Sequence, residues 1–407
     1  MDGLSKNLIK TAEKHLSFLC NEVNERHVGS KGNQVTADYL KNLLEKENFK
    51  IEEQYFSCFD WEGKDVIFKV DGVQYEANIG PYSNKCDFRA PLCHASTLEE
   101  LKGLNNRNRV VLLTGELTKE QLVPKNFPFY NIEKQQEIIR LLEEKDFKAV
   151  IAATGHSKET AGGLYPFPLI EDGDFKIPNI YIKDTLGEKL KNKTGKEVYI
   201  YLETKRNDSQ GRNIICAKGK DFEDKISLFA HFDSKENSPG AIDNATGVIS
   251  LILLAELLKE NKLNKSIEIA LLNGEDYYSA PGQRIYFIDQ KEKLKNIRLG
   301  INIDGIGYIK GKTAFSLYNT DKKINNIAHS NFSKKYNMKD GDQWYQGEHA
   351  ILAQKGIPAL AFTAELLDEI LDKVHTKKDN LKLVDTKKVV NVALAVQQFL
   401  LDLNIIN

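Results

Sequence analysis

Polar residues that could do chemistry stand at the ends of three predicted strands. His231 and Asp233 follow the first strand, Glu275 and Asp276 follow the second, and Asp304 ends the third. Ligands of open parallel sheets bind at the carboxyl ends of the strands. These side chains should therefore converge on one crevice.

Two further residues extend this set. Asp243 lies among glycines that allow close backbone approach, just before a predicted helix, and His375 lies on a predicted loop after the last strand. Two imidazoles and several carboxylates suit zinc and leave one carboxylate as a base. If one carboxylate bridges, two metals roughly 3.5 to 4 Å apart can activate a shared water, polarise a carbonyl and hold an amine. That combination describes hydrolysis of an N-terminal peptide bond.

Each of these residues also has a plain structural explanation. A lone histidine is more often a surface or satisfied core residue, and a single acid after a strand is more often a cap or a solvated turn. Asp233 in particular could simply cap the end of its strand. The order of the whole set at successive strand ends favours the metal-site interpretation.

The elements that must position these residues show a β/α rhythm after about residue 206. Strands are predicted at 226–230, 267–273, 299–304 and 357–363, and helices at 245–260 and 384–403. Such alternation predicts βαβ units and a parallel sheet. Helical spacing over residues 5–55, interrupted by glycines, predicts two more helices joined by a loop.

The middle of the chain has a different texture. Short alternating runs at 66–70, 110–113 and 149–152, with one predicted helix near 132–145, indicate a separate small β-rich module. We therefore predict an α/β protein with a mostly parallel mixed sheet flanked by helices. Its catalytic domain comprises residues 1–60 and 206–407, interrupted by a smaller inserted β-rich α/β domain at 61–205.

Composition excludes several classes of partner. The 407-residue chain carries 57 basic and 58 acidic residues, a net charge of -1, which gives no electrostatic footprint for nucleic acid or an anionic membrane. The start of the chain lacks the pattern of a signal peptide, and no apolar run approaches a spanning helix, so we expect a cytoplasmic protein. The five cysteines form no CxxC pair and are expected to be reduced thiols.

A series of segments, in their order along the chain, resembles the dinuclear zinc aminopeptidase family, which is family twenty-eight of the metallopeptidases. That family also includes glutamate carboxypeptidases and glutaminyl cyclases. The resemblance runs over nearly the whole chain, through His27–Asn33 and the segments AHFDS (230–234), PGAIDNATGV (239–248), NGED (273–276), INIDGIG (301–307), GEHAILAQKGIPALAFT (347–363) and VHTKKD (374–379). It implies the zinc exopeptidase fold and two zinc ions, with cobalt or manganese as substitutes.

Position by position, the resemblance implies that Asp243 bridges the two metals. His231 and Asp304 would complete one metal site, and Asp276 and His375 the other. Glu275 would be the general base, taking a proton from water and delivering it to the leaving amine.

Two acidic residues are expected to orient the histidine ligands. Asp233 is predicted to accept the second imidazole N–H of His231 and is counted with Glu275 as catalytic, and Asp379 is predicted to act likewise near His375. The chain departs from the family pattern at Asp276, where the family more often has Glu. It departs again at Gly347-Glu348-His349, where the family has Ser-Asp-His.

Because of the second departure, the sequence does not determine which residues shape the substrate pocket. His349 is a candidate for stabilising the oxyanion or lining the pocket, with a structural role as the alternative, and Tyr345 is a similar candidate. Residues 61–205 more loosely resemble the protease-associated module that some relatives carry, with ordinary surface packing as the alternative.

We predict an aminopeptidase acting on peptides with a free N-terminus, and the sequence leaves its oligomeric state open. A carboxypeptidase or a one-metal glutaminyl cyclase on the same fold is the first alternative. A catalytically silent protein that binds a peptide or protein partner is the second.

Overall fold

The computed structural model describes residues 3–104, 108–157, 164–220 and 222–407. The chain divides into two compact units. The larger comprises Met1–Cys58, Ser209–Ile370 and Val374–Asn407, and the smaller comprises Phe59–Asp208 and Leu371–Lys373. The predicted domain boundaries after residues 60 and 205 fall close to the junctions after residues 58 and 208.

The strands, in chain order, are β1 (Lys50–Val70), β2 (Val73–Tyr75), β3 (Asn78–Ile79), β4 (Cys86–Ala95), β5 (Val110–Leu113), β6 (Ala149–Thr154), β7 (Asn179–Lys183), β8 (Glu197–Lys218), β9 (Lys225–His231), β10 (Ser266–Leu272), β11 (Ile297–Ile303), β12 (Thr313–Tyr318), β13 (Lys339–Asp340) and β14 (Ala359–Ala364). The long strands β1 and β8 each contribute residues to both units.

The α-helices are α1 (Gly3–Ser17), α2 (Lys31–Glu45), α3 (Leu98–Gly103), α4 (Glu133–Glu144), α5 (Asp184–Leu190), α6 (Thr246–Leu257), α7 (Pro281–Arg284), α8 (Lys322–Ala328), α9 (Glu348–Gln354), α10 (Leu367–Leu371) and α11 (Thr386–Asp402). Shorter π- or 3₁₀-helical segments cover Phe18–Val23, Gly115–Thr118, Lys191–Lys193, Ala241–Ala245, Ile285–Asp289, Lys291–Asn296, His329–Lys335 and Leu381–Leu383.

The sheet of the larger unit has the strand order β13-β12-β14-β11-β9-β10-β8. The central strands β14, β11, β9 and β10 run parallel, whereas β12 is antiparallel to β14 and β8 is antiparallel to β10. The register pairs His231 with Leu272 and Ile303 with Phe362, so the carboxyl ends of the four central strands lie along one edge. The prediction of a mostly parallel mixed sheet flanked by helices is confirmed.

Helices pack against this sheet, and three of its four central strands are buried along their whole length. Every residue of β9, β10 and β14 is buried, as expected for strands covered on both faces. Helix α6 is buried on all sides from Thr246 to Ala255, as expected for a mainly apolar helix, and it packs against α1 and α11. Helix α9 packs against β11 and β14.

The smaller unit has its own sheet and core. Strands β4, β5, β6 and β7 run parallel, with β8 antiparallel to β4 at one edge and β3 antiparallel to β7 at the other. Two apolar clusters fill this unit. Its likeness to a protease-associated module remains a prediction.

Two details differ from the sequence-based expectations. The predicted N-terminal helical region extends too far, because α2 ends at Glu45 and β1 begins at Lys50. The smaller unit contains α3 and α5 besides the predicted helix α4, since helices of six or seven residues are too short to show a clear period. No helix among the described residues is long and apolar enough to cross a membrane.

Candidate metal centre

The sheet edge at the carboxyl ends of the central strands carries most of the predicted site. His231 is the last residue of β9, Glu275 and Asp276 follow β10, and Asp304 follows β11 directly. Gly274 turns the chain after β10 with a φ of 101°, a conformation that residues with a Cβ rarely adopt. Parallel pairing therefore gathers side chains that lie far apart in the sequence.

Asp243 reaches the same edge from the segment that precedes α6. Within the short helical turn Ala241–Ala245, Asp243 and Asn244 have non-helical backbone dihedral angles, and the peptide bond between them is cis. The Asn244 amide donates to the Ile303 carbonyl oxygen at 2.9 Å, which fixes this segment against the end of β11.

The two carboxylate oxygens of Asp243 face different histidines. Oδ1 lies 3.1 Å from Nε2 of His231, and Oδ2 lies 2.9 Å from Nε2 of His375. Asp304 Oδ1 lies 3.7 Å from His231 Nε2, and Asp276 Oδ1 lies 3.2 Å from His375 Nε2. The residues thus form two groups that share Asp243.

These groups fit zinc in both chemistry and spacing. Ligands about 2.0 to 2.1 Å from a tetrahedral zinc ion lie about 3.3 Å apart, which falls within the range of the observed separations. Ligand atoms of His231, Asp243 and Asp276 all lie within 4.8 Å of one another. Among the described residues, both ring nitrogens of His231 and Oδ2 of Asp276 are buried without a hydrogen-bond partner. Buried atoms of this kind normally have one, and a metal ion would supply it.

The charges of the site also favour a cation. Burial alone would lower the pKa of His231, but the neighbouring carboxylates raise it well above its usual value. Burial would also lower the pKa of His375, but Asp276 and Asp243 together raise it to about 10. Carboxylates that hold protons on imidazoles would hold metal ions there instead, because both cations compete for the same ring nitrogens.

Asp233 makes contacts that differ from those predicted. Its two oxygens accept hydrogen bonds from the backbone N–H groups of Glu275 at 3.3 Å and Asp276 at 2.9 Å. The Nδ1 atom of His231 lies 3.6 Å from Asp233 Oδ1, beyond hydrogen-bonding distance. In this structure the fully buried Asp233 therefore positions the segment after β10 and only flanks the imidazole.

Asp379 shows the same arrangement on the other side of the site. Its oxygens accept hydrogen bonds from the backbone N–H groups of Ile242 at 2.8 Å and Asp243 at 3.1 Å. Burial and the Asp243 charge raise the pKa of Asp379 to about 7. The predicted contact with His375 is replaced by one that positions the shared ligand.

Glu275 lies beside the two groups without belonging to either. Its side chain is partly exposed at the site. Removal from bulk water raises its pKa well above the usual value, with His231 opposing the shift and the Asp276 carboxylate adding to it. A raised pKa suits a carboxylate that must accept a proton and release it again.

The contacts of His349 match the structural alternative rather than its candidacy for the oxyanion or the pocket. Its Nδ1 atom lies 3.1 Å from the Asn302 amide nitrogen, and its Nε2 atom lies 2.9 Å from the Trp344 carbonyl oxygen. Burial lowers its pKa to about 4. Both ring nitrogens are therefore occupied. Tyr345 is 58 % exposed, donates to Gln343 and contacts the ring of Tyr318, and neither of these partners is a predicted metal ligand.

Glu348, the neighbour of His349, is a buried acid that interacts electrostatically with residues of the site. It is completely buried, and Nε2 of Gln283 donates to its Oε1 at 3.2 Å. Burial raises its pKa to about 7, with His231 opposing that shift and Asp304 adding to it. The sequence does not single out Glu348, because nothing local marks this acid as buried.

Arg26 is a second residue that sequence reasoning missed. It is completely buried, and its guanidinium donates to the carbonyl oxygens of Phe232 at 2.9 Å, Pro239 at 2.6 Å and Gly240 at 2.9 Å. These carbonyls flank His231 and the segment that carries Asp243. The sequence feature that could have identified Arg26 is its position directly before the His27–Asn33 segment.

The sequence of the larger unit matches a known family. Residues 213–400 match the sequence profile of peptidase family M28. Over 310 residues the chain is 23% identical to a probable leucine aminopeptidase 2 of Aspergillus fumigatus, covering 74% of this chain and 58% of that protein. It is 24% identical over 302 residues to the probable lipoprotein aminopeptidase LpqL of Mycobacterium tuberculosis, covering 71% of this chain and 57% of that protein. The chain thus spans under three fifths of these two curated relatives.

Solved structures share the fold along almost the whole chain. An aminopeptidase from Aneurinibacillus sp. strain AM-1 superimposes with a TM-score of 0.75 at 19% identity, over 96% of this chain and 93% of that one. A zinc aminopeptidase from Bacillus subtilis gives a TM-score of 0.71 at 20% identity, over 96% of this chain and 95% of that one.

Proposed function

We propose that this chain is a metal-dependent aminopeptidase of peptidase family M28, the family whose sequence profile residues 213–400 match. The proposed substrates are peptides with a free N-terminus, and the proposed cofactor is a pair of zinc ions. The aminopeptidases among its relatives support the reaction, and the zinc aminopeptidase of Bacillus subtilis supports the metal.

The observation that carries the proposal is the orientation of the Asp243 carboxylate. One oxygen lies 3.1 Å from His231 and the other 2.9 Å from His375. A carboxylate that presents one oxygen to each of two imidazoles suits a bridging ligand between two metal ions. This arrangement supports two ions over one.

Each proposed metal site then has ligands of its own. His231 and Asp304 would hold one ion, and Asp276 and His375 the other. When bound, the ions would lower the pKa of a water and polarise the scissile carbonyl. The buried carboxylates Asp233 and Asp379 hold the backbone of the ligand-bearing segments in place for this task.

Glu275 is the proposed general base. It would accept a proton from the attacking water on its carboxylate and donate that proton to the nitrogen of the leaving group. Its backbone N–H is held by Asp233, while the next residue, Asp276, directs its own carboxylate to His375. Adjacent residues therefore divide the work of proton transfer and metal binding.

The test combines metal content with hydrolysis. The purified protein should be stripped with a chelator, titrated with zinc, and assayed on a panel of amino-acid 4-nitroanilides beside Glu275→Gln. We expect two zinc ions per chain, hydrolysis that depends on them, and a loss of about 100-fold or more in kcat for Glu275→Gln. Glu292→Gln, a change at an exposed carboxylate, is the control and should behave as wild type.

The same experiment separates the alternatives. Saturation at one zinc ion would favour a glutaminyl cyclase, and cleavage of only C-terminal residues would favour a carboxypeptidase. A protein that takes up zinc but hydrolyses no peptide substrate would favour the catalytically silent binding protein. Activity that survives Glu275→Gln would remove that residue from the proposed role.

A further inference from the structure

Lys388 carries its positive charge at a place in the fold where a positive charge is unfavourable. It is the third residue of helix α11, and the N-terminus of a helix is the positive end of the helix dipole. A lysine in this first turn therefore needs another interaction to hold it. Its neighbour Lys387 is exposed, whereas the ammonium group of Lys388 is engaged by backbone carbonyl oxygens.

Four consecutive carbonyl oxygens, which we call the carbonyl cradle, surround the ammonium group. The Nζ atom of Lys388 lies 2.5 Å from the carbonyl oxygen of Tyr308 and 2.8 Å from that of Gly311. The oxygens of Ile309 and Lys310 lie 3.2 Å and 3.3 Å from it. An ammonium group has three N–H donors, so it cannot direct one to each of the four oxygens. Carbonyl oxygens that converge in this way are typical of a binding site for a monovalent cation such as potassium.

The carbonyl cradle lies in the loop that leads away from the proposed metal ligand Asp304. The carbonyl oxygen of Ile306 accepts a hydrogen bond from the Thr246 hydroxyl at 3.0 Å, and that of Gly307 accepts one from the Asp385 backbone N–H at 2.8 Å. The ammonium group holds the next four carbonyls. It thus completes an unbroken run of bonded carbonyl groups that begins two residues after the ligand.

The surroundings of the carbonyl cradle also favour a cation. Burial lowers the pKa of Lys388, and the nearby carboxylates of Asp385 and Glu365 oppose that shift. The Glu365 carboxylate is itself held by the backbone N–H of Lys312 at 2.9 Å. Carbonyl dipoles that point at one another repel unless a positive charge lies between them. The loop should therefore change conformation when the charge is removed.

We propose that Lys388 is a built-in monovalent cation, whose ammonium group occupies the carbonyl cradle, orders the loop that follows Asp304 and thereby positions this ligand. A free potassium or ammonium ion should bind in the same cradle once the lysine side chain is removed. The effect on Asp304 rests on the proposed function, whereas the cradle itself does not.

The test asks whether a free cation replaces the missing ammonium group. Lys388→Ala empties the cradle, and Lys388→Met fills it with an uncharged side chain. Lys387→Ala, which removes the neighbouring charge, is the control. Hydrogen exchange of the peptide covering residues 305–312 is measured by mass spectrometry in choline, potassium or ammonium chloride. The backbone N–H of Ile309, which donates to the Leu383 carbonyl oxygen at 2.7 Å, reports on the order of the loop.

The expected results separate the charge from the side chain that carries it. In choline chloride this peptide should exchange about 10-fold faster in Lys388→Ala than in the wild type. Potassium or ammonium at about 200 mM should reverse that increase, as expected for a site with a Kd of about 20 mM. Lys388→Met should exchange as fast as the alanine variant and gain nothing from potassium, because its side chain occupies the space. An alanine variant that folds only in potassium or ammonium chloride would also support the proposal.

Three results would overturn the carbonyl cradle as a cation site. The first is exchange in Lys388→Ala that equals that of Lys387→Ala in choline chloride. The second is faster exchange that neither potassium nor ammonium reverses. The third is an equal dependence on potassium in the wild type, because the cation would then bind elsewhere.

Zinc titration against a chelating dye tests the effect on Asp304. We expect Lys388→Ala to bind zinc about 10-fold more weakly than the wild type in choline chloride and to recover in potassium chloride. A zinc affinity unchanged in choline chloride would refute the positioning of Asp304. Hydrogen exchange is measured in the presence of chelator. A wild type that binds no zinc would therefore refute the proposed function and leave the result on the cradle intact.

Discussion

Asn33 and Asn273 exchange a reciprocal pair of side-chain hydrogen bonds in the core of the larger unit. The amide of Asn33 donates to Oδ1 of Asn273 at 2.8 Å, and the amide of Asn273 donates back at 2.9 Å. Both residues are buried. Asn33 belongs to helix α2, whereas Asn273 precedes the segment that carries Glu275. The pair therefore ties the N-terminal region to the proposed base.

Removal of one member of this pair should destabilise the protein. Asn33→Leu leaves the Asn273 amide buried without its partner, and we expect the free energy of unfolding to fall by about 2 kcal/mol. Urea denaturation measures the change. The double variant Asn33→Leu/Asn273→Leu should lose less than the sum of the two single variants, because it leaves neither amide orphaned. Exposed Asn326→Leu is the control, and additive losses would contradict the coupling.

Arg26→Lys should be far more damaging than its conservative appearance suggests. Lysine cannot reproduce the forked donors that reach the carbonyls of Phe232, Pro239 and Gly240. We expect a loss of about 3 kcal/mol in unfolding free energy. We also expect weaker zinc binding, because these carbonyls flank two proposed ligands.

Arg298→Lys is the matched control for that change. Arg298 is more than half exposed and pairs with Asp224, so its replacement should cost less than about 1 kcal/mol. The two variants are compared by urea denaturation and by zinc titration against a chelating dye. Equal effects of the two substitutions would contradict the role of Arg26.

The sequence predicted the parts of the site that depend on local order. The regular β/α alternation, with a ligand at the end of each strand, was enough to predict that His231 and Asp304 meet. The structure places the predicted strands at 226–230 and 299–304 in β9 and β11, within a residue or two of their predicted limits. Parallel pairing then determines which ends lie together, since it follows from the alternation itself.

The parts that the sequence did not predict depend on tertiary contacts. Nothing local marks Arg26 as buried, because only folding brings the Phe232 and Gly240 carbonyls to its guanidinium. The hydrogen bonds of Asp233 and Asp379 go to backbone N–H groups, which carry no residue-specific pattern. A rule that pairs acids with histidines therefore does not predict these backbone contacts.

Asp379→Asn tests whether a backbone contact controls metal binding. An amide offers one acceptor in place of two, so one of the N–H groups of Ile242 and Asp243 would lose its partner. We expect a zinc affinity about 10-fold to 100-fold lower, the usual effect of removing a group that positions a ligand.

The measurement for Asp379→Asn is a competition titration against a chelating dye, with circular dichroism to verify the fold. Asp321→Asn is the matched control, since Asp321 caps the distant helix α8 and asparagine caps equally well. Zinc affinity equal to wild type in Asp379→Asn would show that the backbone contact is unnecessary for binding.

His349 should make the stability of the metal-free protein depend on pH. Its pKa in the folded protein is about 4 because burial lowers it, against an ordinary value of 6.5 in the unfolded chain. Between these values the unfolded state binds the additional proton. Stability is therefore fully present above about pH 6.5 and is lost as the pH falls toward 4. From pH 7.5 to pH 5 the expected loss from this residue is about 2 kcal/mol.

His349→Gln removes the titrating ring, so its unfolding free energy should fall less between these two pH values than that of the wild type. Urea denaturation in the presence of chelator gives both differences under the same metal-free conditions, and subtraction cancels the titration of His231 and His375. If the unfolding free energies of the wild type and His349→Gln fell equally with pH, the ring would be protonated without cost in the folded state. Its two hydrogen bonds could not then be as described.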